Sequence, residues 1–450
     1  MTSYKIPTVK DYDKLLEYLF RGTRLTGIYS EKLGIERMQY FMSLLGNPQE
    51  KIKTIHIAGT SGKGSTSYMI DSLLRSSGKK VGLVVSPHVY DYRERMHVNG
   101  KYVSKKIMVE AFNTILPAIK TVTINQYGPP TFFELNIALA YTLFAHYKLD
   151  YIVLETGVGG LCDLTNTIQR SNKLAVITKL GLDHTVLLGD TIADIAYQKA
   201  GIMPHSGVAI VLQPDDPSAR VILDRTADER HTKILYIENT VITDIDSTAK
   251  GSTFVFEDMP LHLPILGRYQ IENAMLAISV MKYLSARDML SRDQKIIQHG
   301  LNNLNIPGRA EIRQVNGHMI ILDSAHNPQK IQAFCELIAS LGFSVKPVVV
   351  YATKKSKDYH SSLNIMKDYI SGLVATEFFV NIPKPVITCE ASAVLAQTAQ
   401  AMDINVIGNF SDPNQALKYA IKNIPETTPI IVTGSMYLLG EIQNSLNLQN

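Results

Sequence analysis

Two rhythms of apolar residues run through the chain. Short apolar runs at residues 52–58, 81–85, 151–154, 174–178, 208–212 and 234–237 predict buried strands. Between them, apolar residues return every three or four positions and predict helices at 11–20, 31–45, 105–120, 132–147, 191–200 and 269–284. Residues 21–30 read as a loop, and 252–264 as a small β extension. Ile306-Pro307-Gly308-Arg309 has the character of a junction. Beyond it a second series begins, with strands expected at 319–322, 345–351, 374–380, 404–407 and 430–432. Strands that alternate with helices imply mostly parallel sheets covered on both faces. The expected architecture is therefore α/β, with domains at 1–304 and 305–450.

The first strand leads into His56–Ser67, read as HIAGTSGKGSTS, and a helical pattern follows it. Strand, glycine-rich turn and helix start form a cradle for phosphate, because backbone N–H groups and the helix N-terminus face the anion. The spacing is shorter than G-x-x-x-x-G-K-[ST], and Gly64 stands between Lys63 and Ser65. In parallel sheets, ligands lie beyond the carboxyl ends of the strands. Ser86, Glu155 and His184 follow three such ends, so one cleft can hold them with the loop. Glu155 is suited to a magnesium ion near phosphates, and His184 is a candidate second ligand. Ser86 reads equally as a turn residue. Lys199, near a helix C-terminus, reads as a cation complementing the helix dipole. Asn273 is a helix cap or a base contact, and Arg309 a linker charge or a phosphate partner. Asp323 and His326 end a strand of the second series, as turn formers or as groups reaching the cleft.

Composition narrows the setting. The chain has 450 residues, 45% of them hydrophobic, and a net charge of +4 with the signs interspersed. That length exceeds one core, and that charge gives no argument for nucleic acid or membrane binding. The three cysteines, Cys162, Cys335 and Cys389, are few and far apart, as in a reducing compartment. The first twenty residues lack an apolar signal core, and the apolar run at 131–145 holds Glu134 and Asn136, as a buried helix does. These features predict a cytoplasmic protein.

With these residues placed, the chain resembles the folylpolyglutamate synthases, in the wider Mur ligase superfamily. The similar segments are HIAGTSGKGS, SPHVYDYRERMHVNG, TFFELNIALA, LETGVGGLCDLTN, LGLDH, TIADIA, QKAGI, RYQIENA, PGRAE, LDSAHNP and GSMYLLGE. The resemblance implies a P-loop ATPase domain joined to a smaller Rossmann-like domain, with the active site between them. It implies ATP contacts from Gly59, Thr60, Gly62, Lys63, Gly64, Ser65, Asn273, Arg309 and Asp323, and magnesium ligands at Ser86, Glu155 and His184. It implies that Lys199 is carbamylated, that His326 lies by the bound glutamate, and that the pterin-type substrate lies near Gly34, Phe132, Phe133 and Asp163. Three positions depart from the family pattern. Leu161 replaces an arginine, Ser61 an asparagine, and Ser356-Lys357-Asp358 an aspartate-lysine-aspartate triplet.

The implied reaction is an ATP- and Mg2+-dependent ligation of L-glutamate to the γ-carboxylate of a tetrahydrofolate (poly)glutamate through an acyl phosphate. Such a protein needs folate and glutamate but no nucleic acid or membrane partner, and works as a monomer. The alternatives are a dihydrofolate synthase acting on dihydropteroate, alone or in addition, and a nucleotide-binding ATPase module without ligase activity. A cell-wall Mur ligase fits the segments less well.

Overall fold

The computed structural model describes residues 8–21, 31–238, 242–248, 250–379 and 388–446. The loop expected at 21–30 lies almost wholly outside them. Strand β1 (Lys53–Ala58) is buried from its second residue to its last, as its mixture of isoleucine, threonine and alanine demands. The first sheet adds β2 (Val81–Val84), β3 (Met96–Val98), β4 (Lys101–Tyr102), β5 (Tyr151–Glu155), β6 (Leu174–Ile177), β7 (Val208–Leu212) and β8 (Lys233–Ile237). Its order is β4-β3-β2-β5-β1-β6-β7-β8. All pairings are parallel except β2 with β3 and β3 with β4. The expected turn at Asn99-Gly100 closes the β3–β4 hairpin, with both residues left-handed. The phosphate-loop strand thus sits centrally, with β5 and β6 parallel on either side. Register opposes Ile57 to Glu155 and Ala58 to Ile177, so three strand ends open into one crevice.

Helices cover both faces. On one, the helix Lys63–Ser76 packs through Met69, Ile70 and Leu73 against Ile271, Met275 and Ile278 of the helix Arg268–Asp288. On the other, Lys105–Ile124 and Phe132–His146 build a core around Phe112, Ile119, Ile137 and Phe144. The apolar run that contains Glu134 and Asn136 is therefore a core helix. Among the described residues one helix, Lys105–Ile124, is long and apolar enough to span a membrane, and 39% of its apolar window is buried in this protein. Thr131 caps the helix Phe132–His146, and the Glu134 carboxylate returns to the Thr131 N–H at 2.6 Å.

A three-stranded antiparallel sheet, β9 (Ile242–Thr248), β10 (Gly251–Phe256) and β11 (Met259–Leu263), sits beside the first. The second large sheet holds β12 (Glu311–Val315), β13 (His318–Leu322), β14 (Val348–Tyr351), β15 (Gly372–Ala375), β16 (Val406–Asn409) and β17 (Ile430–Thr433). Its order is β12-β13-β17-β14-β15-β16, parallel apart from β12 with β13. The α/β class is as expected, and several element bounds are not. β14 starts at Val348 because Pro347 has no N–H to give a ladder. The strand expected at 374–380 is β15, which stops at Ala375, and residue 380 lies outside the described residues. The strand expected at 404–407 is β16, two residues later. Ile404 instead closes the preceding helix, its N–H on the Ala399 carbonyl at 3.0 Å beyond left-handed Asp403. The polar helix Pro217–Arg230 has no strong apolar period and escaped the pattern, despite an Asp216 cap before Pro217.

Glu134 is fully buried and also accepts Arg37 Nε at 2.7 Å. Removing one partner of such a pair strands a charge. Arg37→Met should lower the unfolding free energy by about 3 kcal/mol, read by urea denaturation.

Candidate active site

The loop after β1 is tied to the segment that follows β6. Thr60 donates its N–H to the Lys179 carbonyl at 2.9 Å and its hydroxyl to the Gly181 carbonyl at 2.8 Å. Thr178 Oγ1 donates to the Ser61 carbonyl at 2.6 Å. Gly62 is left-handed, φ 87°, and a Cβ there would collide with Asn273 Oδ1, so glycine is required where the helix begins. Asn273, placed by sequence at a helix start, therefore stands directly over the loop. It is held by its own Nδ2 donating to Gln270 Oε1 at 3.0 Å.

Inside the loop, Lys63 Nζ and Lys199 Nζ both donate to the Gly59 carbonyl oxygen, each at 2.9 Å. Lys199 comes from the end of the helix Ile192–Ala200 and is buried. Burial, then the Lys63 ammonium, brings its amine down to about 7. Lys199 is thus a buried group of the site rather than a solvated cation at a helix end.

Glu155 ends β5 and is buried. Burial raises its carboxyl, opposed by Lys63, the Ser86 N–H, Arg309 and Arg95. Ser86 N donates to Glu155 Oε2 at 2.9 Å, one residue before the cis Ser86-Pro87 peptide. A Cβ on Gly64 would meet both Glu155 oxygens at 3.6 Å, so the carboxylate faces the start of the phosphate-loop helix. His184 follows β6 in left-handed conformation. Burial, and then Lys357, Lys63 and Lys330 against the opposing Asp183, hold its imidazole below the usual range, as a neutral ligand requires. Lys63 acts on both Glu155 and His184. Among the described residues no three His, Cys, Asp or Glu side chains cluster tightly enough to form a complete metal cage. A buried carboxylate with one oxygen committed to an amide fits a hard cation that takes one or two protein ligands, with phosphate and water as the rest.

The second domain supplies the opposite wall. Arg309 Nη1 donates to Ser324 Oγ. Both Asp323 oxygens accept backbone N–H groups, from Ala310 and Ala325, each at 2.8 Å. Asp323 therefore holds the junction turn as well as standing beside Arg309. His326 Nδ1 lies 2.8 Å from the Ser324 carbonyl, and burial keeps its ring neutral. Asp183, on the first domain, lies 3.9 Å from Lys330 Nζ and 3.8 Å from Lys357 Nζ of the second. Burial opposes its ionisation, yet Lys330, His184 and Lys357 bring its carboxyl below the usual range. Burial brings Lys330 itself down to about 8.

The third group of predicted residues lies on the segments around Gly157 and the start of the helix Phe132–His146. Asp163 Oδ1 accepts the Thr165 N–H at 3.0 Å and the Thr165 hydroxyl at 2.5 Å, while Oδ2 accepts the Val158 N–H at 2.7 Å. Asp163 acts electrostatically on Lys199. A Cβ on Gly157 would meet Phe133 at 2.7 Å, and one on Gly34 would meet Leu164 at 3.5 Å. Phe132 stacks on Phe20 at 5.1 Å, and the Arg95 guanidinium lies 5.3 Å over its ring. Leu161 keeps its backbone in the turn, its N–H on the Gln198 carbonyl at 2.6 Å.

Arg95, His88, Asp183 and Lys330 are the participants that sequence reasoning missed. Arg95 Nε donates to His88 Nδ1 at 2.8 Å, and the guanidinium bears on Glu155. Its signal was a charged pair, Arg93 and Arg95, flanking Glu94 just before a buried three-residue strand.

Comparison with known proteins gives a consistent result. A sequence model of the Mur ligase middle domain matches residues 57–281, and one of the Mur ligase glutamate ligase domain matches 308–436. The chain is 30% identical over 431 residues to the dihydrofolate synthase/folylpolyglutamate synthase of Bacillus subtilis, covering 93% of this chain and 96% of that protein. It superposes with a TM-score of 0.82 and 25% identity on Mycobacterium tuberculosis folylpolyglutamate synthase complexed with ADP and AMPPCP, covering 97% and 98% of the two chains. A bifunctional folylpolyglutamate synthase/dihydrofolate synthase from Yersinia pestis, complexed with AMPPNP and a manganese ion, gives 0.81 at 25% identity over 99% and 100%.

Lys199 generates a sign-specific prediction. Its amine titrates near 7 in the native state, whereas a free lysine keeps its proton to about 10.4. Between those values the unfolded chain binds the extra proton, so stability rises with pH. Relative to Lys199→Met, the wild type should gain about 1 kcal/mol of unfolding free energy per pH unit above neutrality, measured by denaturant titration at a series of pH values.

Proposed function

The chain belongs to the Mur ligase superfamily, in its folylpolyglutamate synthase/dihydrofolate synthase branch, and we propose that it joins L-glutamate to the γ-carboxylate of tetrahydrofolate and its polyglutamates. It is an ATP-dependent ligase. The observation that carries the site assignment is the convergence of Lys63, Lys199, Arg309 and Glu155 around the glycine loop.

An amide does not form from a carboxylate and an amine in water without activation. A carboxylate oxygen of the acceptor takes the γ-phosphoryl group of ATP, the bond to the ADP oxygen breaks, and an acyl phosphate results. The glutamate amine then attacks the acyl carbon, phosphate leaves with the C–O electron pair, and the amine loses a proton. The protein needs no nucleophile for this; it needs positioning and fixed charge. In this reading Gly59, Thr60, Gly62, Gly64 and Ser65 cradle the phosphates, and Lys63 neutralises the terminal ones. Arg309 and Asp323 approach from the second domain, and Asn273 hydrogen-bonds the nucleotide.

Ser86, Glu155 and His184 would hold Mg2+, which when bound supplies charge neutralisation for phosphoryl transfer. The manganese ion in the Yersinia pestis relative supports a divalent ion beside the nucleotide. Lys199, with an amine brought down to about 7, is poised to add carbon dioxide and lose a proton, becoming a carbamate anion facing Lys63. Phe132, Phe133, Asp163 and Gly34 would receive the pterin end of the acceptor. His326, half-buried with its ring held neutral, would stand beside glutamate as a hydrogen-bonding group.

The names of these relatives also carry a second reading, dihydrofolate synthase activity, which would act on dihydropteroate. Both readings need only small molecules. A cytoplasmic monomer without nucleic acid or membrane partner is the form we assign, on the interspersed charge and few cysteines.

Purified protein with ATP, Mg2+ and labelled L-glutamate should incorporate label into tetrahydrofolate, and a parallel assay with dihydropteroate decides between the acceptors. Lys63→Ala and Glu155→Ala should each cut turnover by about a hundredfold or more. Label entering neither acceptor would sink the ligase reading, and ATP hydrolysis indifferent to both would favour a bare ATPase module. Intact mass in bicarbonate buffer should show one carbon dioxide adduct that Lys199→Met lacks.

A further inference from the structure

The segment between β2 and β3 belongs to the first domain by sequence, yet its tip is buried in the second. Val89 is 8% exposed and packs in the core built by Ile320, Leu322, Leu438 and Leu439. Its carbonyl oxygen lies 2.5 Å from where a Cβ on Gly440 would stand, so glycine at 440 is the condition for this seat. Gly308, in the junction, faces Val89 Cγ2 at 3.5 Å in the same sense. One residue on, Tyr90 donates its hydroxyl to Glu311 Oε2 at 3.1 Å, the oxygen that also accepts the Gly308 N–H at 3.0 Å.

The segment is stiff. The Glu94 carboxylate accepts three consecutive amides, from Val89 at 2.6 Å, Tyr90 at 2.8 Å and Asp91 at 2.8 Å. This clamp fixes residues 89–94, and Arg95 Nε donates to His88 Nδ1 at 2.8 Å, so a displacement at Val89 is carried to His88, two residues from Ser86, instead of being absorbed by side-chain motion. Three residues upstream lies Ser86, whose N–H orients Glu155.

We propose that the Val89–Tyr90 tip is a positioning element that couples docking of the second domain to the geometry of Ser86 and Glu155. Neither residue is among those assigned above to the nucleotide or the acceptor. The coupling rests on the reading of Ser86 and Glu155 as a metal site, and it accounts for the GSMYLLGE segment, which the reaction itself does not use. When the second domain seats Val89 against Gly440 and Glu311, Ser86 is drawn to Glu155 in the arrangement a divalent ion needs. When that seat is lost, nucleotide still enters the loop, but the ion adds less to its binding.

The test measures binding of AMPPNP with and without Mg2+ to the full chain. Gly440→Ala lies in the helix Met436–Glu441, where alanine is the better helix former, so a loss reports the blocked seat rather than the helix. Tyr90→Phe removes one hydroxyl and keeps the ring. In both variants metal-free affinity should stay within about twofold of wild type, while the Mg2+-induced tightening should shrink by about threefold or more. If Gly440→Ala does not fold, Tyr90→Phe alone carries the measurement. Wild-type tightening in Tyr90→Phe, or a loss of metal-free affinity as large as the loss with Mg2+, overturns the coupling. No Mg2+ effect in the wild type would instead overturn the metal-site reading, and the coupling with it.

Discussion

In the unmodified chain two lysine amines share the carbonyl oxygen of Gly59, and that arrangement governs the rest of the site. One oxygen cannot neutralise two cations in a place shielded from water. Part of the imbalance is relieved by bringing the Lys199 amine down toward neutrality, and part by the carboxylates of Glu155, Asp163 and Asp183 nearby. Arg309, Arg95 and Lys330 add further positive charge from the cleft walls. The cleft is therefore built in advance for a strongly anionic guest. A polyphosphate chain with its counter-ions fits that field far better than a neutral ligand.

The sheet order gives this field its location. β1 lies between β5 and β6, and their three carboxyl ends deliver the glycine loop, Glu155 and the Thr178–His184 segment to one place. The second sheet ends its strands toward the same cleft. Asp323 follows β13, and Gly434 follows β17 with its N–H on the Ala325 carbonyl. Contacts that join the two walls include Asp183 with Lys330 and Lys357, Tyr90 with Glu311, and Leu266 in the core of the second domain.

Much of this was legible in the residue order. Buried parallel strands are mostly apolar, so β5, β6 and β7 announced themselves, and the glycine loop stood out by its place between a strand and a helix start although its spacing departs from the usual motif. Polar residues at or after strand ends made Ser86, Glu155 and His184 candidates. Other features left weaker traces. β12 alternates little and pairs only with its hairpin partner. Lys199 looked like an ordinary helix-end cation, because its burial depends on the loop 140 residues earlier in the chain. Arg95 and Asp183 acquire their neighbours only through tertiary packing. A charged side chain in a linear sequence carries no sign of what will lie across from it.

The insertion of Val89 into the far core bears on how the molecule can be dissected. A fragment cut at the junction would keep a complete central sheet, but would expose an oily hook to water and leave a matching socket empty in the other piece. Each half would then be prone to self-association, whereas the two halves supplied together should find one another without a covalent tether. The seam between them behaves less like a flexible linker than like an interlocking joint whose tongue is carried by the half with the glycine loop.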